Sequence, residues 1–573
     1  MQMSQLVLKT LREAPSEAKA RSHQYLLRAG YIRRLSSGIY SYLPLGLRVL
    51  AKVSNIVREE LDSCGSQEIL LPALHPVEIW ERSGRIKKMA DVLMKVEAKS
   101  GDFVLGPTHE EAVIEAVYQD LSSYSDLPAT VYQIQTKFRD EPRSRYGLMR
   151  TREFIMADAY SFDSDQEGMR SSYSKVYDAY NKIFAKMEIP FEPVEADSGA
   201  IGGDVNHEFM SPAEIGEDYY AKCSSCGYRA NIEAATRGSK DADAQGVGSE
   251  LPELLYHYTP EAPGVEKAVE AISDLGVPTK AHEMLKCLVA IDGDQRLVML
   301  LVPGDREARV PSGMRLLEDP EFERYPYLHK GFIGPMNAKE NSIYVVADLS
   351  VKERSHFATG GNKAGYHVTG AVLGRDFQVD EYRSLVVVRD GDPCPRCGSA
   401  LTLIRSVEIG HTFQLGLYYS SILENARFTG PDGQQYPYYM GCYGIGVTRL
   451  IAVIAEHFLD DRGLIWPVSV SPYQVVVVPL GAARSKEIEE VAETIYSGLL
   501  KDNVEALIDD RKLSPGVSLA DCDLIGVPYQ VVVGSKSLKE GQVEIKVRRD
   551  GTTTKMPIEE VPTRIRELLG RSL

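Results

Sequence analysis

Two runs of alternating character, residues 131–139 and 150–157, flank a polar turn. A period of two on both sides of a turn predicts an antiparallel hairpin with a long loop, which commits this part of the chain to a sheet. Lys137, Arg139, Arg143, Arg145, Arg150 and Arg152 crowd the hairpin, with only Asp140 and Glu141 in the loop to oppose them. An isolated basic loop is usually just solvated. Here the arrangement says more. FRDE closes one strand, and an R-x-x-x-F pattern from Arg150 to Phe154 opens the next. Together they offer a guanidinium fork to a phosphate and a ring to a base. A second arginine far along the chain, Arg449 in GIGVTRL, can close on the same polyphosphate.

The pair of patterns resembles the second and third signature motifs of class II aminoacyl-tRNA synthetases. The neighbouring residues narrow the resemblance to the bacterial-type prolyl-tRNA synthetase family. Residues 49–76, an amphipathic helix, a strand and a proline, resemble the first motif, which in the family builds a dimer interface. The resemblance implies a multidomain α/β and α+β chain. Residues 1–222 and 408–470 would form an antiparallel-sheet catalytic core of the class II type. Residues 223–407 would form an inserted α+β editing domain, and 471–573 a C-terminal α/β anticodon-binding domain with a mostly parallel sheet.

Length agrees with several domains, because 573 residues exceed what one core can organise. The net charge of −16 argues only weakly against a nucleic-acid partner, since phosphates answer to local patches rather than to the sum. No apolar run is long enough to span a bilayer, and the N-terminal residues lack the apolar core of a signal peptide, so a cytoplasmic location with no membrane partner is expected.

Within the chain, FVLGPTHEE (103–111) predicts a strand, a turn and a helix start. Thr108 and Glu110 there can cap backbone N–H groups; they also match the T-x-E loop that receives the imino acid's ammonium group in the family. Glu111 suits the helix dipole. Tyr173, Val176, Tyr177, Tyr180 and Phe184 fall at helical spacing and predict core. Asn206, His207 and Glu208 follow a Gly-rich turn, with Asn206 where the family usually has serine. Gly441, Gly444 and Gly446 would let backbone approach a ligand beside Arg449, and Cys442 stands between them.

Eight cysteines include two Cys-x-x-Cys-Gly knuckles, Cys223 with Cys226 and Cys394 with Cys397. Two knuckles can present four thiolates at about 2.3 Å to a structural Zn²⁺. With so long a separation, the geometry works only as a clasp at the neck of an insertion. Between the knuckles, 235–261 reads as a polar linker, followed by alternating strands and a helix around 312–317. Lys286, Gly331 (opening a G-x-x-x-P turn), Asp348 and His367 match, in order, the family's domain that hydrolyses alanyl-tRNA(Pro).

The reaction so implied is ATP-dependent attachment of L-proline to tRNA(Pro) through prolyl-adenylate, with ATP and Mg²⁺ required and a homodimer as the acting form. The resemblance gives Arg139 the α-phosphate and the proline carboxylate, Glu141 the adenine amine and Phe154 the adenine ring. It gives Arg150 and Arg449 the γ-phosphate, and Arg143 the acceptor end of the tRNA. It places Gln414 in the ATP site and His411 in the proline site, with Arg139 and Arg449 as the catalytic pair. Threonyl- and histidyl-type synthetases, a non-catalytic tRNA-binding relative and a stand-alone deacylase are the competing readings. The first are disfavoured by the inserted segment and the T-x-E loop, the others by the intact set Arg139, Glu141, Phe154 and Arg449.

Overall fold

The computed structural model describes residues 1–197, 201, 205–238, 251–311 and 313–570. Apart from residue 201, the Gly-rich turn expected after residue 197 lies outside the described residues, as does the whole polar run from 239 to 250. Two compact units are formed: Met1–Glu217 together with Arg405–Leu573, and Asp218–Ile404. None of the helices among the described residues is long and apolar enough to cross a membrane.

The first unit is organised by the hairpin. Ala129–Phe138 pairs antiparallel with Glu153–Asp163, in a register that sets Gln133 opposite Asp158 and Lys137 opposite Phe154. The Tyr439–Ile445 strand adds beyond Glu153–Asp163, then Thr402–Gly416, Val205–Pro212 and Glu192–Glu195, all antiparallel. Gln67–Glu68 adds a short parallel edge on the other side; the strand expected to run on to Pro72 is only this long.

Because side chains alternate, the register divides the sheet into two chemically different faces. One face carries Tyr132, Ala157, Ala159, Tyr443, Ile445 and Phe209, all buried with the helices Pro44–Ser63, Gln166–Lys186 and Val447–His457. Pro44 opens its helix at a position where a missing N–H costs nothing. Asp165 caps the next, its carboxylate accepting from the Gly168 N–H at 2.8 Å. The Tyr173, Tyr180 and Phe184 spacing is a core stripe as expected: the Tyr180 and Phe184 rings lie 5.6 and 5.4 Å from Phe209. Phe209 is fully buried, and its truncation to alanine should cost ~3–5 kcal/mol. The other face carries polar and charged residues beside a second apolar cluster that includes Phe162, Phe413 and Met440, and the candidate site is built there.

The C-terminal part of this unit has a five-stranded sheet. Val475–Leu480, Ala506–Ile508 and Tyr529–Gly534 are parallel, and their unbroken valine and isoleucine runs suit burial on both faces. The expectation of a mostly parallel sheet needs correcting, because Gln542–Val547 and Thr553–Pro557 add as an antiparallel hairpin. Asp550-Gly551, with Gly551 at φ +73°, is the turn that folds it back.

The second unit has a five-stranded sheet containing Arg315–Leu316, Leu285–Ile291, Leu297–Pro303, Tyr344–Asp348 and Glu381–Arg383, and a three-stranded sheet of Leu255–Tyr258, Tyr366–Val372 and His356–Gly360. Two expectations fail here. The supposed linker contains the Leu255–Tyr258 strand, paired with Tyr366–Val372. The helix expected around 312–317 is a short edge strand, since Ala290 and Ile291 offer pairing to Leu316 and Arg315; Ser312 lies outside the described residues.

Candidate active site

On the polar face of the first sheet, Gln133, Gln135, Lys137 and Arg139 share one side of their strand with Phe154, Met156, Asp158 and Tyr160 on the next. Cys442 and Gly444 continue the row, then His411 and Phe413, then Asn206 and Glu208.

Lys137 is fully buried and pairs with Asp158 Oδ1 at 2.7 Å. Asp158 Oδ2 accepts from Gln133 Nε2 at 3.0 Å and from the Tyr160 hydroxyl at 2.8 Å. The same hydroxyl accepts the His109 backbone N–H at 3.0 Å and so ties the turn before helix Glu110–Val117 to the sheet. Burial, and then the charges of Lys137 and His75, lower His109 to about 2, so its ring is neutral. Asp158 ranks among the residues that the sequence did not single out. It lies mid-strand, and nothing in IMADAY announces the partner that keeps it buried.

The turn holds Thr108 and Glu110, both buried. The Thr108 hydroxyl donates to Glu110 Oε2 at 2.7 Å, and Arg85 Nη1 donates to the same oxygen at 2.8 Å. Cys442 Sγ lies 3.5 Å from Glu110 Oε1, which sets that thiol beside the buried carboxylate. Glu111 is more than a helix-start charge: its carboxylate takes Arg85 Nη1 at 3.0 Å and the Ser83 hydroxyl at 2.6 Å. Arg85 is another residue that the sequence did not mark. It sits on the four-residue helix Arg85–Lys88 after the positive-φ Gly84, and nothing in WERSGRIKK announces a buried cation.

Arg139 and Arg449, distant in sequence, come together. Arg449 Nη1 donates to the Glu408 carbonyl at 2.8 Å and lies 3.4 Å from Glu408 Oε2, and its Nε donates to the Met149 carbonyl at 3.0 Å. Burial lowers the pKa of Arg139, and the positive charge of Arg449 lowers it further. Both guanidinium groups act on Glu408. Burial opposes ionisation of that carboxyl, but His411, Arg449 and Arg139 outweigh it and hold it down at about 2. Among the described residues Arg139 Nε is buried without a hydrogen-bond partner, and its guanidinium lies 5.3 Å from the centre of the Phe154 ring. A buried, unspent donor beside a half-buried aromatic ring is an opening for an anionic ligand with a flat base.

The remaining expected residues fall as follows. Glu141 pairs with Arg150 Nε at 3.0 Å, and Arg150 Nη1 also reaches Glu217 at 2.6 Å. Arg143 is exposed on the loop. The loop is braced by Arg152, whose Nε donates to the Glu141 carbonyl at 3.0 Å and whose N–H donates to the Gly38 carbonyl at 2.9 Å. His411 stacks on Phe413 at 3.8 Å, with Nδ1 3.2 Å from Glu408 Oε1 and 3.6 Å from Glu208 Oε1. Gln414 stands one position out of phase, on the face of Thr412 and Tyr443, so the register does not bring it to Arg139.

In the second unit the four expected residues form two groups. His367 is buried, hydrogen-bonds Thr259 Oγ1 through Nδ1 at 2.8 Å, and packs 5.1 Å from the Phe332 ring beside Gly331. Burial lowers it to about 4. Lys286 and Asp348 lie elsewhere. Lys286 Nζ donates to the Arg306 carbonyl at 2.6 Å, and Asp348 accepts the backbone N–H groups of Ser350 and Leu385 at 2.9 and 2.8 Å.

The two Cys-x-x-Cys knuckles meet. Cys223 and Cys397 are 3.5 Å apart, as are Cys226 and Cys394, and all four sulfurs lie within 4.8 Å of one another. A tetrahedron with bonds of about 2.3 Å needs sulfurs about 3.8 Å apart, so the donor set fits zinc. Gly227 and Gly398, at φ +76° and +75°, give the knuckles one geometry.

Comparison with known proteins shows the family. Residues 94–458 match the model of the class II tRNA synthetase core domain for glycine, histidine, proline, serine and threonine, and 474–568 match an anticodon-binding domain. The proline–tRNA ligase of Desulfitobacterium hafniense is 43% identical over 100% of both chains. That of Halothermothrix orenii is 41% identical over 99% of both. A crystal structure of prolyl-tRNA synthetase from Cryptosporidium parvum with halofuginone and AMPPNP shares the fold at a TM-score of 0.57 and 14% identity, covering 96% of this chain and 77% of that one. The chain belongs to the proline–tRNA ligase family of class II aminoacyl-tRNA synthetases.

Proposed function

We propose that the chain joins L-proline to tRNA(Pro) through prolyl-adenylate, and that the Asp218–Ile404 unit hydrolyses alanyl-tRNA(Pro). The observation that carries the first part is the convergence of Arg139 and Arg449 on Glu408, on the sheet face to which the turn before Glu110 is tied. No side-chain nucleophile is needed. The proline carboxylate attacks the α-phosphate of ATP in line, pyrophosphate leaves, and a ribose hydroxyl of the tRNA then takes the prolyl group. Positioning and charge stabilisation supply the rate.

In this reading Arg139 spends its free donor on the α-phosphate and the proline carboxylate. Phe154 stacks on adenine, Glu141 faces its amine, and Arg449 and Arg150 bind the γ-phosphate end. Arg150 must then exchange its carboxylates for phosphate. Thr108 and Glu110 receive the imino cation. Arg143, free on the loop, meets the tRNA acceptor end. Glu408, Glu208 and His411, mutually within 4.8 Å, are the residues that would hold Mg²⁺, which neutralises phosphate charge when bound. The four cysteines would hold one Zn²⁺ as a clasp. The acting form would be a homodimer, and the compartment the cytoplasm.

Editing follows from magnitudes. A pocket fitted to proline cannot exclude the smaller alanine, and each missing methylene discriminates by only about 1–3 kcal/mol. Lys286 would dock the terminal phosphate, with His367 and Gly331 holding the ester or the attacking water. Asp348, both oxygens spent on backbone N–H groups, would act by fixing its strand end. Pyrophosphate exchange with proline, threonine and histidine in turn tests the ligase reading, which fails if proline does not support exchange. Deacylation of alanyl-tRNA(Pro) by wild type and His367→Ala tests the editing reading, which fails if the two rates agree.

A further inference from the structure

The arrangement around Arg85 goes deeper into the proline pocket and rests on the reading of Glu110 given above. Arg85, Glu110 and Glu111 are all sealed from solvent, with side-chain exposures of 0%, 1% and 1%. One guanidinium nitrogen, Nη1, serves both acids, at 2.8 Å from Glu110 and 3.0 Å from Glu111. The guanidinium is itself clamped between the Trp80 and Tyr419 rings, at 5.1 and 5.4 Å. Two carboxylates and one cation leave the cluster one positive charge short. Glu110 Oε2 is committed to Arg85 and Thr108, whereas Oε1 faces the Cys442 thiol, a weak donor at 3.5 Å.

We propose that Arg85 is a positioning residue for substrate recognition: it pins Oε2 of Glu110, aims Oε1 at the site of the imino cation, and leaves the cluster a single negative charge for that cation to neutralise. Glu111 is the second carboxylate that makes the charge short by one. Arg85 touches neither substrate nor ATP in this scheme. It selects for a ligand bearing one positive charge and rejects a neutral analogue of the same shape, because a buried uncompensated carboxylate is costly.

The charge state of Glu110 therefore depends on its surroundings. The cations that bear on it are Arg85, Lys137 and Arg139. The acids are Glu111, Tyr160, Tyr419 and Cys442, and His75 and His109 face it as neutral rings. Burial works against ionisation of Glu110, and Arg85 followed by the Thr108 hydroxyl reverses that and keeps it low. Without Arg85 the two glutamates are left with Lys137, already paired to Asp158, and Arg139 as the cations bearing on them, and one takes a proton.

The test is proline-dependent pyrophosphate exchange by the full chain across neutral and alkaline pH, for wild type, Arg85→Gln, Arg85→Lys and Arg85→Gln with Glu111→Gln. Arg85→Gln should raise KM for proline about tenfold or more at neutral pH, with KM for ATP unchanged, and the defect should shrink as pH rises. Adding Glu111→Gln removes the competing acid and should recover part of the proline KM, while Arg85→Lys keeps the charge and should lie between. Thermal melts accompany each variant, so a folding defect is read separately. Equal rises in both KM values without pH dependence, or no recovery in the double variant, would overturn the proposal. Failure of the wild type to use proline would instead overturn the ligase reading.

Discussion

Replacing Glu408 by Gln keeps the shape of the side chain and removes the carboxylate between two guanidinium groups. Its Oε1 lies 3.2 Å from His411 Nδ1 and its Oε2 3.4 Å from Arg449 Nη1, and the charge of Arg139 acts on it as well. The drop from the ordinary 4.5 to about 2 corresponds to ~3 kcal/mol. About a third of the side chain is exposed, and screening by that water brings the figure to ~1–2 kcal/mol. A depressed carboxylate contributes above its unfolded value and loses that contribution as pH falls through about 2. The whole amount is thus at stake at neutral pH. The loss should reach ATP binding too, since Arg139 and Arg449 then face each other unopposed. KM for ATP in proline-dependent exchange should rise roughly 5–30-fold, with a lower Tm. An unchanged KM for ATP together with an unchanged Tm would refute the idea that Glu408 holds the two arginines in place.

Three further outcomes are expected. Gly38→Ala puts a Cβ 2.8 Å from Ser144 Cβ at a position with φ +73°; displacing that side of the arginine loop should lower exchange more than it lowers Tm, and wild-type kinetics would contradict the packing. The full chain should carry one zinc by elemental analysis, lost in Cys394→Ser with a lower Tm; a metal-free wild type that melts unchanged in chelator would contradict the clasp. Burial holds His23, His75 and His367 at about 4 and His109 at about 2. A lowered histidine loses stability as pH falls from its unfolded value, near 6.5, towards its folded one. Each should therefore cost ~1–2 kcal/mol by about pH 5, and a Tm that stays flat between neutrality and pH 5 would contradict their burial.

The hairpin, the C-terminal strands and the meeting of the two cysteine knuckles were legible because each is a local pattern with one physical solution. Period-two alternation can bury only one face, and two matched knuckles can share one ion. The core stripe of Tyr173, Tyr180 and Phe184 was legible for the same reason. What escaped was set by pairing across distance. Arg315–Leu316 became a strand because an edge was open to it, and Gln542–Pro557 turns back on the Asp550-Gly551 pair. At the site, Arg139 and Arg449 could be named from their surroundings in sequence. Arg85, Asp158 and Glu408 could not, since a buried charge is recognisable only once its partner is known. Gln414 shows the converse: its neighbours His411 and Phe413 face the polar side, and a single step in register takes it to the other.

The convergence of Arg139 and Arg449 beside a pocket for one small cationic imino acid is tested most directly by equilibrium titration with a non-hydrolysable prolyl-adenylate analogue. Wild type should bind it far more tightly than the threonyl counterpart. Arg139→Ala and Arg449→Ala should each weaken binding ~10–100-fold, and the double variant should lose less than the product of the two because they hold one ligand. Equal affinity for the threonyl analogue, or variants that bind as wild type does, would contradict the account.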